Sequence, residues 1–248
     1  MKTNLVNILG INFLNKRFNE VVEILIKAIH DQKKYFIVTA NPEIVMYAND
    51  HPEYLTIVQS ADMIVPDGAG IIIASKILNQ PIYERVTGYD LTIRLLEEAN
   101  KNKWSIYLLG GKEETNQKAV ATIQRQFNQI HIAGSHHGFF DWQKNTITSE
   151  IKAKGPDIIF VALGFPRQEK WIKENLPHFS KGLFMGVGGS IDVLAGEVQR
   201  APRIWQKINL EWFYRLITQP SRWRRMLAIP KFLSQIFKVK LTRNRTEG

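Results

Sequence analysis

The sequence predicts an α/β protein with a mostly parallel sheet and helices on both faces, followed by a basic helical C-terminal appendage. Three observations carry this. Short β-rich runs alternate with segments of helical periodicity. Nearly every β-rich run ends in small or polar residues, as strand ends in an open α/β sheet do. The formal net charge of +10 is also lopsided: residues 1–200 hold 22 Lys+Arg against 21 Asp+Glu, and residues 201–248 hold 11 against 2.

In chain order, MKTNLVNILGINF is a short apolar stretch broken by Asn4, Asn7, Gly10 and Asn12, a poor signal peptide. Asn15 to Lys27 has apolar groups at helical spacing. Tyr35 to Val38 is a β-rich run ending in Thr39-Ala40-Asn41-Pro42, and helices follow from Glu43 and after His51-Pro52. Ala61 to Val65 is a second strand, running into Pro66-Asp67-Gly68 and a helix to about Leu78. A loop with Arg85, Thr87 and Gly88 leads to a helix from Tyr89 to Asn100. Strands at Ser105 to Leu109, Ile130 to Ala133, Asp157 to Leu163 and Gly182 to Val187 alternate with helices from Glu114, Thr148, the Gly164–Gln168 turn and Ile191. His136 to Phe140 reads as a loop. The pattern is that of a Rossmann-like sheet.

The composition shift at Arg200-Ala201-Pro202 marks the one boundary, giving an α/β domain over 1–200 and a basic, aromatic-rich appendage over 201–248. Helices are expected over Arg203 to Thr218 and Ser221 to Lys240, punctuated by Pro220 and Pro230. Cysteine is absent, which excludes disulfides and thiolate metal sites. No apolar run reaches the roughly 18 residues of a membrane-spanning helix, so no crossing is expected. A basic tail implies an anionic partner: anionic lipid, nucleic acid or a phosphorylated substrate. Its interleaved arginines and aromatics, Arg215, Arg222 and Arg225 beside Trp205, Trp212 and Trp223, suit a membrane interface. The same residues would also suit nucleic acid or a helix packed on the body.

Open α/β sheets place chemistry at the carboxyl ends of their strands. Thr39, Asn41 and Asp67 follow the first two strands, so a hydroxyl, an amide and a carboxylate could share one sheet edge. There they could orient a hydroxyl and remove its proton. The plainer reading is helix capping, by Thr39 or Asn41 for one helix and by Asp67 for the next. Gly110-Gly111, Gly164 and Gly188-Gly189 could let backbone approach a diphosphate, or could be tight turns. Arg85 and Arg167-Gln168 lie in loops where an arginine fork would suit phosphate oxygens. Neither a dinucleotide fingerprint nor a Walker A loop is present, which disfavours an oxidoreductase. The histidines form no ligand spacing and there is no D-x-D, so no metal is expected.

Several of these segments together resemble the WecG/TagA/CpsF glycosyltransferases. They are Thr39-Ala40-Asn41-Pro42-Glu43, Ala61-Asp62 through Gly68, Arg85-Val86-Thr87-Gly88, Leu109-Gly110-Gly111, Gly164 through Glu169, Gly186 through Gly189, and Arg200-Ala201-Pro202 leading to Glu211-Trp212 and Arg215. The resemblance spans nearly the whole chain. It implies metal-independent, inverting transfer of N-acetylmannosamine, or a related sugar, from a UDP donor to undecaprenyl-diphosphate-linked GlcNAc, as in wall teichoic acid or surface polysaccharide synthesis. It implies Asp67 as the base, Thr39, Asn41 and Gln168 along the sugar site, and Arg85 at phosphate. Gly110, Gly111, Gly188, Gly189 and Asp192 would contact the UDP-sugar. Arg215, Arg222 and Arg225 of the appendage would close over a diphosphate. The enzyme is then expected in the cytoplasm, peripheral on the inner face of the plasma membrane and possibly a homo-oligomer, with no cofactor and no nucleic acid. A different UDP-hexose or a UDP-ManNAc uronate as donor, and a nucleic-acid-binding α/β protein, are the alternatives.

Overall fold

The computed structural model describes residues 4–142, 144, 146–207, 210–218 and 227–246. An antiparallel hairpin, β1 (Leu5–Ile8) and β2 (Ile11–Leu14), precedes the sheet. It turns at Leu9 and Gly10, both at positive φ (48° and 82°), as a two-residue hairpin turn requires. The sequence predicts no strands here, because Leu-Gly is not one of the usual turn pairs.

Six parallel strands follow: β3 (Lys34–Ala40), β4 (Met63–Pro66), β5 (Ser105–Gly110), β6 (His131–His136), β7 (Ile158–Ala162) and β8 (Gly182–Gly186). Their order across the sheet is β4-β3-β8-β7-β5-β6. The expected parallel α/β sheet with helices on both faces is therefore the fold. Each strand alternates its side chains between two cores. Phe36, Val38, Tyr107, Ile159 and Phe184 face one, and Ile37, Leu108, Phe160 and Met185 face the other. β7 and β8 are buried along their whole lengths, as central parallel strands are.

One face carries α1 (Phe18–His30), α5 (Gly88–Asn102), α6 (Glu113–Gln126) and α9 (Ser190–Leu194). The other carries the hairpin with α2 (Pro42–Asp50), α3 (Pro52–Gln59), α4 (Ala69–Ile77), α7 (Thr146–Lys154) and α8 (Arg167–Asn175). β6 extends to His136, so that residue belongs to the strand and not to the loop the sequence predicts. A register shift between Ile106 and Tyr107 of β5 lets the two strands stay paired.

The C-terminal stretch corrects the sequence reading in two ways. Arg203 to Thr218 is two helices, α10 (Arg203–Lys207) and α11 (Glu211–Thr218). The last helix, α12 (Ala228–Thr246), is not punctuated by Pro230, which is its third residue. In a first turn proline forfeits no helical hydrogen bond. Pro220 and Ser221 lie outside the described residues. α12 packs on α2 and α4, with Phe232 and Ile236 fully buried in the sheet's own core.

Candidate active site

The carboxyl ends of the four strands β4, β3, β8 and β7 open into one cleft of about 270 Å³. Thr39 and Asn41 come from β3, Asp67 and Gly68 from β4, Gly186 to Ser190 from β8, and Gly164, Phe165 and Gln168 from β7. Arg85, Thr87, Gly88 and Tyr89 enter from the loop before α5, and Glu211, Trp212 and Ile229 come from the C-terminal helices. All five expected catalytic-type residues therefore meet: Thr39, Asn41, Asp67, Arg85 and Gln168.

Asp67 extends β4 by one residue, donating its N–H to Ala40 O at 2.9 Å. Its Oδ2 accepts the Gly88 N–H at 3.2 Å. Gly88 opens α5, so the carboxylate sits at a long helix's N-terminus, where backbone dipoles favour negative charge. The N-cap of α4 is Gly68, at φ 91°; Asp67 serves the neighbouring helix instead. A Cβ at position 88 would stand 2.9 Å from Thr39 Oγ1, so any larger residue would push the Thr39 hydroxyl aside. That close approach packs Thr39, Asp67 and the α5 terminus together.

Asn41 caps α2, its Oδ1 accepting from Ile44 N at 3.0 Å. The capping reading thus holds for Asn41, and its Nδ2 is the group suited to a ligand oxygen. Thr39 lies within β3, paired with Val65, and is not the cap. Gln168 is buried, with Oε1 accepting from Gly188 N at 3.0 Å and Nε2 donating to Glu169 Oε1 at 2.7 Å.

Arg85 is paired across the cleft with Glu211 of α11 (Nη2 to Oε2, 3.6 Å), both side chains being mostly buried. The sequence reading missed this partner. Its signal is that Glu211 is one of two acids in a tail with 11 basic residues. A second tie was missed as well. Arg200 grips Asp90 through two hydrogen bonds, 2.6 and 2.8 Å, and its guanidinium lies 4.6 Å from the Tyr89 ring centroid. Burial would raise the Asp90 pKa, but hydrogen bonds from Arg200 and Thr87 outweigh it and hold the carboxyl below its usual range. Thr87-x-x-Asp90 is a helix-start signature legible in the sequence: Thr87 caps α5 by accepting from Asp90 N at 3.1 Å.

The remaining candidates divide. Gly188 and Gly189 line the cleft, whereas Gly110 and Gly111 are not among its walls. A Cβ on Gly110 would lie 2.3 Å from the Ala162 carbonyl, and Gly111 N donates to Ala162 O at 3.0 Å. Asp192 sits in α9, whose Ile191 packs 3.0 Å from the Cβ position of Gly111. Arg215 lies on α11, its side chain outside the described residues, and Arg222 and Arg225 lie outside them altogether. Among the described residues no group of three or more His, Asp or Glu could hold a metal, and no helix is long and apolar enough to cross a membrane.

A carboxylate, a hydroxyl, two amides and an arginine at the carboxyl ends of an open parallel sheet describe an α/β enzyme of the polar-substrate kind. Over residues 6–246 the chain matches the model of the glycosyl transferase WecG/TagA/CpsF family, and it belongs to that family. It is a glycosyltransferase. It is 39% identical over 239 residues to the N-acetylglucosaminyldiphosphoundecaprenol N-acetyl-beta-D-mannosaminyltransferase of Bacillus spizizenii, covering 96% of this chain and 92% of that one. It is 40% identical over 237 residues to the Staphylococcus aureus protein of the same name, covering 95% and 93%.

Proposed function

We propose that the enzyme transfers N-acetylmannosamine from a UDP donor to GlcNAc carried on a polyprenyl diphosphate, by one inverting displacement. The observation that carries this is the meeting of Asp67, Thr39, Asn41, Arg85 and Gln168 in one cleft, in a chain similar along its length to two transferases of that name. Asp67 takes the proton from the attacking hydroxyl as that oxygen bonds the anomeric carbon. The anomeric bond to phosphate breaks with its electron pair going to UDP. Thr39, Asn41 and Gln168 bind sugar oxygens, and the Gly188-Gly189 turn receives the diphosphate. Asp192, on α9 beyond the cleft wall, would meet the nucleoside, and Gly110 and Gly111, packed against Ala162 and Ile191, would support that end without touching the ligand.

Leaving-group charge requires positioned cations or N–H donors, which contribute about 3–4 kcal/mol each in such sites. Arg85 is one. In this reading substrate phosphate displaces Glu211 from Arg85, and Arg215, Arg222 and Arg225 come over the diphosphate without a metal ion. The tail is also the membrane contact on the cytoplasmic face. Supporting this, seven of the eleven large exposed apolar side chains among the described residues lie from Ile204 onward, and aromatic and aliphatic groups beside cations favour an interface.

The test is a screen of UDP-sugar donors against a synthetic lipid-diphosphate GlcNAc acceptor, with and without EDTA. UDP release from UDP-ManNAc that is indifferent to EDTA and falls about 10²–10⁴-fold in Asp67→Asn is expected. A strict requirement for a divalent cation, or full activity in Asp67→Asn, refutes the mechanism.

A further inference from the structure

Glu169 is the most deeply buried acid among the described residues, and the chemistry above leaves it unused. It stands behind Gln168 and is not part of the cleft wall. Its Oε1 accepts from Gln168 Nε2 at 2.7 Å, and Gln168 Oε1 accepts from Gly188 N at 3.0 Å. A Cβ on Gly186 would stand 2.5 Å from Gln168 Nε2, so the amide lies against the β8 backbone without room to move toward it.

The chemistry of the three groups fixes one arrangement. A carboxylate only accepts and a backbone N–H only donates. Between them the Gln168 amide has a single orientation, with nitrogen toward Glu169 and oxygen toward Gly188. One Nε2 hydrogen remains for a ligand. An apolar residue at 169 would release the amide to turn or leave its N–H unpaired. Glutamine could present its own amide oxygen and keep the geometry without the charge.

We propose that Glu169 is a positioning residue that locks the Gln168 amide, and through it the Gly188-Gly189 turn, so that a fixed neutral donor meets a sugar oxygen. The proposal deepens the glycosyl-transfer reading and rests on it.

Few ionisable groups face Glu169. α3 presents Tyr54, near enough to favour the carboxylate's charge although Tyr54 Oη and Glu169 Oε2 both lack a hydrogen bond of good geometry. Glu43 and Tyr47 of α2 act on Tyr54 from beyond it. β7 and β8 carry no ionisable side chain, and His178, in the turn after α8, is at the far end of that helix. Burial pushes the Glu169 carboxyl up to about 7, so protonation weakens the acceptor that holds Gln168.

The test is a double-substitution cycle on UDP release, with the side-chain amide resonances of Gln168 followed by NMR in parallel. Glu169→Ala is expected to lower kcat about tenfold in the native background and less than about twofold where Gln168 is already alanine, the non-additivity of coupled groups. Glu169→Gln is expected to restore most of kcat and to remove an inflection near pH 7 from the native profile. Equal losses in both backgrounds, with a lowered melting temperature, would overturn the proposal, because Glu169 would then serve the fold and not Gln168. If the native protein turns over no UDP-sugar, the glycosyl-transfer reading fails separately and the NMR decides alone. Gln168 amide resonances that shift in Glu169→Ala and titrate between pH 6 and 8 support the lock; unmoved resonances refute it.

Discussion

Two glycine pairs end two strands of the same sheet, and the fold uses them in opposite ways. Gly110-Gly111 follows β5 toward the β6 edge, and its surroundings are filled by the protein's own chain. Gly111 N bonds to Ala162 O, Gly138 N bonds to Gly111 O at 2.8 Å, and Asn116 Nδ2 reaches the carbonyls of Leu108, Gly110 and His136. Gly188-Gly189 follows β8, two strands away at the centre of the sheet, where the turn borders open space and answers to a single side chain, Gln168. Glycine at a strand end is therefore not by itself a ligand signal. In one pair it permits the chain to touch itself, and in the other it leaves the turn open to the cleft. Position in the sheet separates them, because β4, β3, β8 and β7 share the cleft and β5 and β6 do not.

The largest expected effect falls on the cleft side. Asp67→Asn should lose about 10²–10⁴ in turnover with melting unchanged, whereas Asp192→Asn, beyond the cleft wall, should weaken UDP binding without that collapse in kcat. Comparable loss in both, by steady-state kinetics, would break the division between the two sides. Next in size is Gly110→Ala. Its Cβ would strike the Ala162 backbone at 2.3 Å, from a φ of 128° that side chains avoid. A loss of about 3 kcal/mol or more is expected, seen in denaturant melts, with no specific signature in KM.

How much was legible in the sequence follows the same division. All six parallel strands were readable, the central ones because buried parallel strands are continuous apolar runs with turn residues after them; the edge strand β6, with Ile132 its one large aliphatic residue, was readable only as far as Ala133. Thr39, Asn41 and Asp67 were readable as neighbours, because consecutive strands β3 and β4 pair directly. The Arg85–Glu211 and Arg200–Asp90 pairs join residues more than 100 positions apart, and no local period encodes such contacts. Nor was the fate of Gly110 legible, since it depends on β7 arriving beside β5 from 50 residues later. The N-terminal hairpin was missed for lack of a familiar turn pair. The basic tail announced itself by charge, but the burial of Phe232 and Ile236 needed α2 and α4 in place to be seen.

Glu169 sharpens the comparison from within the cleft side. Its folded carboxyl, raised by burial to about 7, keeps its proton to a higher pH than the unfolded chain, whose value is the ordinary 4.5. The sign follows: between those values the folded state binds more protons, so stability falls as pH rises from about 4.5 to 7. The penalty above pH 7 is about 3 kcal/mol for a shift of that size. Glu169→Gln should therefore melt higher than the native protein at pH 8 and lose that advantage by pH 4.5. A substitution that stabilises while keeping most of kcat separates the cost of the buried charge from the hydrogen bond that orients Gln168; equal melting at both pH values would show that burial does not strain the carboxylate.

The smallest effect is the most direct comparison of the two turns. Gly188→Ala repeats the Gly110 substitution at a residue of the same kind, again after a strand end and again at positive φ, here 45°. A Cβ there meets only Gln168 Oε1, at 3.6 Å, an ordinary contact. The cost is then backbone conformation alone, about 1 kcal/mol. The protein should fold and melt a few degrees lower, while KM for the UDP donor rises, because the added methyl intrudes on the room that glycine keeps open. If Gly188→Ala is instead as destabilising as Gly110→Ala, with no change in donor KM, the β8 turn is structural too, and the cleft's phosphate contacts must come from Arg85 and the tail.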